Sequence, residues 1–198
     1  MDIREFSKNY INSIKKAIDV LDLDKIEQVA QIIFNAYKNN KQIFIIGNGG
    51  SASTASHFAC DLGKGTISDF KSKTKRFKVF SLTDNVATLM AFGNDLSFEE
   101  IFSEQLKNLV NPGDVVIVIS ASGNSQNLIN GVECARDLGA KTIGLLGFKT
   151  GGKLADLVDC YIIAQDEHYG RSEDIHMIIV HMITNYFYGW IKQFPQNL

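Results

Sequence analysis

The stretch Q-I-F-I-I-G-N-G-G-S-A-S-T-A-S-H, residues 42 to 57, decides the fold. An apolar, β-branched run stops in three glycines within four positions, Gly47, Gly49 and Gly50, then passes into a hydroxyl-rich segment that closes on His57. A short apolar run bounded by turn residues predicts a buried strand, and the segment behind it predicts a helix that starts at once. The same sentence is repeated down the chain. I-F-I-I at 43 to 46, V-F-S-L at 79 to 82, V-V-I-V-I at 115 to 119, T-I-G-L-L at 142 to 146 and C-Y-I-I at 160 to 163 read as strands, with helix-length segments at 52 to 62, 97 to 109 and 125 to 138 between them. Strand and helix in alternation call for a parallel sheet covered by helices on both faces, an α/β three-layer arrangement. Before the sheet, apolar residues recur at three and four positions from Ile3 to Tyr37, predicting two helices with Asp24 as the cap between them. After it, a long helix is expected from Ser172 to Gln193, with Pro112 and Pro195 at turns.

A chain of 198 residues with 45% hydrophobic content builds one core, so residues 1–198 read as a single domain that includes the N-terminal helices at 1–40. The formal charge of −2 and the even mix of acids and bases exclude the basic field that nucleic acid demands, leaving a small molecule or a protein as ligand. The charged N-terminus and short apolar runs predict neither signal peptide nor membrane span, hence a cytoplasmic protein. Cys60, Cys134 and Cys160 are odd in number and in no C-x-x-C spacing, which predicts buried packing thiols. The aromatic group Tyr186, Phe187, Tyr188 and Trp190 reads as helix packing or a subunit contact, and the basic run at 71 to 78 as a solvated loop.

Ligands of such sheets bind where strands hand over to helices, because free N–H groups and the helix dipole attract anions there. Gly47, Gly49 and Gly50 suit positive φ and close approach, while Asn48, Ser51 and Ser53 carry donors for phosphate or sugar oxygens. A tight turn with a serine cap explains this loop alone equally well. The second loop, I-S-A-S-G-N-S at 119 to 125, breaks the tie: Ser120, Ala121, Ser122 and Ser125 repeat the arrangement after another strand, which points to a phosphosugar cradle. Neither G-x-G-x-x-G nor G-K-[ST] is present, so no nucleotide is expected. G-N-D at 93 to 95 adds Asn94 and Asp95, though a glycine ending a helix before an Asn-Asp turn accounts for them as well.

Four histidines remain: His57, His168, His176 and His181. His57 and Asp61 stand four apart, about 40° around a helix axis, and Glu173 and His181 eight apart, about 80°, so each pair can overlook one cleft. His176, three beyond Glu173, competes for the same role. Taken singly, each reads as a core histidine or a solvated carboxylate.

In G-N-G-G-S-A, G-N-D, I-S-A-S-G-N-S and E-D-I-H…H, nearly the whole chain resembles the SIS (sugar isomerase) domain family, and within it the bacterial phosphoheptose isomerases. The resemblance implies a flavodoxin-like five-stranded parallel sheet, a homotetramer with sites at subunit contacts, to which the helices at 1–40 contribute, and an aldose–ketose isomerisation of sedoheptulose 7-phosphate to D-glycero-D-manno-heptose 7-phosphate in surface polysaccharide biosynthesis. It implies a substrate cradle at Asn48, Gly49, Gly50, Ser51, Asn94, Asp95, Ser120, Ala121, Ser122 and Ser125. It further implies a base at Asp61 and a histidine acid/base at His181, and zinc held by His57, Asp61, Glu173 and His181; since a carboxylate held by zinc is a weaker base, Glu173 is the alternative to Asp61 in that role. Asp61 stands where the family usually carries Glu, Glu173 where it carries Gln, Gly65 where it carries Arg, and Gly170 in place of an acid before the last helix. The extra carboxylate at Glu173 favours a cation. Two alternatives remain: a non-catalytic SIS module that binds a phosphosugar or a protein, and an isomerase of a different phosphosugar.

Overall fold

The computed structural model describes residues 2–71 and 75–193. Two helices, α1 (Ile3–Asp19) and α2 (Leu23–Lys38), precede an alternation of strands and helices: β1 (Gln42–Gly47), α3 (Gly50–Cys60), β2 (Lys78–Ser81), α4 (Val86–Asp95), α5 (Ser103–Leu109), β3 (Val115–Ser120), α6 (Gln126–Asp137), β4 (Lys141–Leu146), α7 (Gly152–Leu157), β5 (Cys160–Ile163) and α8 (Tyr169–Gln193). All strands pair in parallel in the order β2-β1-β3-β4-β5, the five-stranded α/β sheet expected.

Because successive strand residues point to opposite faces, the central strands feed two cores. Ile43, Ile45, Ile117, Ile119, Ile143 and Leu145 pack beneath α2, α3 and α8, while Phe44, Ile46, Val116, Val118 and Leu146 pack against α5, α6 and α7. Each of these side chains is at most 1% exposed, and burial of that degree contributes about 1.5–3 kcal/mol per side chain. This explains why the runs at 43 to 46 and 115 to 119 read as continuous apolar strings rather than alternations. The edge strand β2 is different: Phe80 on its outer face is half exposed.

The structure corrects several sequence expectations. The cap of α2 is Asp22, whose carboxylate accepts from the Lys25 amide at 3.0 Å, and Asp24 lies in the first turn. The single helix expected over 97 to 109 is a 3-10 turn, Phe98–Glu100, followed by α5. Helices α4 and α7 carry no clear apolar stripe and were not expected; α4 buries none of its residues and α7 only Leu154. Gly93, Asn94 and Asp95 are the last turn of α4, with Asn94 Nδ2 donating to Asp95 Oδ1 at 2.9 Å, rather than a turn beyond it. The last helix begins at Tyr169, so Gly170 is inside it. Cys160 is buried and Cys134 half-buried, and desolvation raises both thiols; Cys60, expected inside, is exposed at the end of α3. Phe187 is buried, with its ring against Phe34 and Phe77, and Trp190 meets Phe34 edge-on, whereas Tyr186 and Tyr188 face outward. Residues 72–74 of the basic run, and Pro195, lie outside the described residues. Among those described, no helix is long and apolar enough to cross a membrane.

Candidate phosphosugar site at the sheet switch point

Neighbouring strands β1 and β3 send their chains to opposite faces, β1 into α3 and β3 into α6, and a crevice opens where they diverge. Both glycine–serine loops end there. A cavity of about 130 Å³ is lined by Asn48, Ser51, Ser120, Ala121, Ser122 and Ser125 with Tyr169 and Glu173 from α8. The sequence thus placed both loops correctly, and neither serine loop is a simple cap. Gly49 is the N-cap of α3 and Ser125 that of α6, and neither helix has a side-chain cap hydrogen bond. In contrast, α1, α2 and α4 are capped by Asp2, Asp22 and Asn85. The first amides of α3 and α6 therefore face the cavity side of the sheet with no carbonyl behind them in the helix.

The serine loop is held so that its hydroxyls stay available. Ser120 Oγ accepts from the Gly123 amide at 3.0 Å and Ser122 Oγ from the Asn124 amide at 3.4 Å, which leaves each O–H to donate outward. Asn124 is spent on bracing, donating to the Ser122 carbonyl at 2.8 Å and accepting from the Lys153 amide at 3.1 Å. Gly123 has φ +65°, and a Cβ there would stand 1.8 Å from the Gly151 carbonyl oxygen. Of the three glycines in the first loop, only Gly49 has positive φ; Gly50 is needed for close approach, since a Cβ on it would lie 2.4 Å from Glu173 Oε1. Glu173 therefore closes the cavity directly over the start of α3.

His57 projects from α3, Asp61 opens a π-helical turn at Asp61–Gly65, and His181 comes from α8. His57 Nε2 lies 3.0 Å from His181 Nε2 and 3.2 Å from Asp61 Oδ2, and His181 Nε2 lies 3.8 Å from the same carboxylate oxygen. All three offer ligand atoms within 4.8 Å of one another, the one such group of His, Cys, Asp and Glu among the described residues. The π turn unwinds the helix where Asp61 must turn inward, a distortion found often at functional sites. Glu173 is not in this group, although the resemblance set it beside the other three. Asn94 and Asp95 are exposed on α4 and do not line the cavity. His176 is a core histidine: fully buried, its Nε2 2.8 Å from the Leu146 carbonyl, with Nδ1 unpartnered. Burial pushes its pKa down to about 4. His168 is exposed beside the first turn of α8, its ring edge-on to Tyr10.

One lining residue, Tyr169, and one buried residue behind the lining, Asn127, escaped the sequence reading. Tyr169 left no signal. Asn127, 2% exposed in the first turn of α6, pairs with Asn48 through both amide atoms, and its signal was a polar residue on the face that also carries Leu128, Gly131 and Val132.

A parallel sheet with hydroxyl-lined loops and open helix starts at its switch point suits an anionic ligand, and the SIS domain profile matches residues 6–147: the chain belongs to the SIS domain family. Its relatives there are phosphoheptose isomerases. It is 35% identical to a probable phosphoheptose isomerase of Thermoplasma volcanium over 89% of this chain and 88% of that one, and 36% identical to the phosphoheptose isomerase of Aliarcobacter butzleri over 91% and 92%. The solved phosphoheptose isomerase GmhA of Neisseria gonorrhoeae superposes with a TM-score of 0.83 at 28% identity, covering 93% of this chain and 96% of that one.

Proposed function

We propose that this protein is a phosphosugar aldose–ketose isomerase of the phosphoheptose type, converting sedoheptulose 7-phosphate to D-glycero-D-manno-heptose 7-phosphate for heptose and surface polysaccharide synthesis in the cytoplasm. The observation that carries this reading is the pairing of an anion cradle with a separate proton-transfer group. His57 lies six residues beyond Ser51, roughly 9 Å along the helix axis. A substrate with its phosphate at one end and its carbonyl at the other matches that separation. The phosphate is anchored by the hydroxyls of Ser51, Ser120, Ser122 and Ser125 and by the open amides of Gly50 and Ser51; Asn48 contributes through its place in the loop.

The trio His57, Asp61 and His181 fits a divalent metal. Zinc bonds of about 2.0–2.1 Å at tetrahedral angles set ligand atoms roughly 3.3 Å apart, close to the observed 3.0, 3.2 and 3.8 Å. When bound there, zinc supplies Lewis-acid polarisation of the sugar's carbonyl and enediolate oxygens. Proton transfer belongs to the chain's own groups: one takes the proton from the carbon beside the carbonyl and returns it to the neighbouring carbon, and His181 exchanges protons with the oxygens when its Nε2 is not holding the metal. For the first task Glu173 is favoured over Asp61, because it lines the cavity and is not shared with two imidazoles. In the assembly we place Asn94 and Asp95 against a neighbouring subunit, since they ride on α4, whose Val86 and Met90 are about two-thirds exposed with nothing from their own chain over them. The family resemblance makes that assembly a homotetramer with shared sites.

The test is incubation with a panel of ketose and aldose phosphates, with metal analysis of protein purified without chelator. Turnover of sedoheptulose 7-phosphate, lost by at least about a hundredfold in His181→Ala and Glu173→Gln, is the expected result. No turnover of any phosphosugar overturns the reading, and full activity in metal-free protein removes zinc from it.

A further inference from the structure

The loop after β1 contains a single side chain, Asn48, between Gly47 and the pair Gly49–Gly50. That side chain lines the cavity and is at the same time engaged by α6. Asn48 Nδ2 donates to Asn127 Oδ1 at 2.9 Å, and Asn127 Nδ2 donates back to Asn48 Oδ1 at 2.9 Å. Asn127 belongs to α6, two residues beyond Ser125, and is 2% exposed. The pair therefore spans the crevice from the glycine loop to the helix that opens the serine loop's far side. Consecutive glycines give up more backbone freedom on ordering than other residues do, so this loop depends on its one anchored side chain to hold its amides in place. A reciprocal amide pair sets both a distance and an orientation, and removing either partner leaves a buried donor and acceptor unmet.

We propose that Asn127 is a positioning residue for phosphate capture: by locking Asn48 it fixes the spacing between the open N-termini of α3 and α6. Among the described residues no hydrogen bond joins it to His57, Asp61, His181 or Glu173, so its effect falls on substrate affinity rather than on the chemical step. The proposal rests on the cradle reading given under the proposed function.

The experiment measures KM, kcat, the inhibition constant of inorganic phosphate and the melting temperature for Asn127→Ala, Asn48→Ala and the double variant in the full-length protein. Asn127→Ala is expected to raise KM and weaken inorganic phosphate by about tenfold, with kcat within about twofold, and the double variant to be no worse than the poorer single one. Should Asn127→Ala not fold, Asn48→Ala reports on the same pair from the loop side. Phosphate held equally by wild type and variants, a fall confined to kcat, or losses that add in the double variant overturn the proposal while leaving the cradle intact. Wild-type protein indifferent to inorganic phosphate and to phosphosugars overturns the cradle and this proposal together.

Discussion

His176 is the residue whose chemistry differs most from what its neighbours in sequence suggested. It stands three positions from Glu173 and five from His181, yet it faces the core and braces the end of β4 through the Leu146 carbonyl. Its folded pKa of about 4 lies below the 6.5 of an ordinary imidazole, so the unfolded chain takes the proton first. Stability from neutral His176 is thus complete above about pH 6.5 and drains away as pH falls towards 4, by about 1.4 kcal/mol per pH unit. His176→Gln keeps a donor for Leu146 but does not titrate. Urea midpoints measured from pH 7 to 4 should fall less steeply in that variant than in the wild type. The sequence offered His176 as a rival for the site because spacing on a helix gives the angle between side chains but not which angle faces the sheet. At the opposite extreme, His57 and Asp61 were legible, since four residues of helix fix their common face whatever packs around them.

At the level of elements, the strand-to-helix loops explain most of what could be read in advance. G-N-G-G-S and S-A-S-G-N-S both have their chemistry in consecutive residues, so the sequence displays them whole. What holds them does not: Gly151 and Gly152 lie about 30 residues away from Gly123 in the chain and meet it only after β4 joins the sheet. The Leu154 amide donates to the Gly123 carbonyl at 3.1 Å, so α7 starts against the serine loop. Gly123→Ala places a methyl on the Gly151 carbonyl at positive φ, and neither backbone has room to retreat. The expected cost is at least about 2 kcal/mol in urea unfolding, accompanied by weaker phosphate binding. The π turn at Asp61–Gly65 was likewise invisible: the sequence ended the helix at 62, and only packing against α8 shows how the chain winds on past Gly63 and Gly65.

Across the whole molecule, the five parallel strands follow from apolar runs that stay buried within one chain, whereas their order, β2-β1-β3-β4-β5, is carried by the structure alone. The surfaces that remain apolar outside it were harder to read. Helix α4 packs Leu89 and Phe92 on the core but leaves Val86 and Met90, with Leu96 and Phe98 just beyond it, each more than half exposed. Exposed groups of this kind mark contact surfaces. Under the assembly proposed above, Met90→Asp should give smaller species than the unaltered protein in light scattering, while leaving circular dichroism unchanged. An unaltered mass would place the contact elsewhere.

The trio of His57, Asp61 and His181 has one more implication, for the order in which a growing polypeptide becomes competent. The sheet is complete once Ile163 has joined it, but the last imidazole and Glu173 arrive on α8, the final described segment. A chain ending before Tyr169 lacks one donor of the trio, one wall of the cavity and also Ile175, Ile179, Val180, Ile183 and Phe187, which close one of the two cores. The final helix thus ties completion of the candidate site to completion of the core.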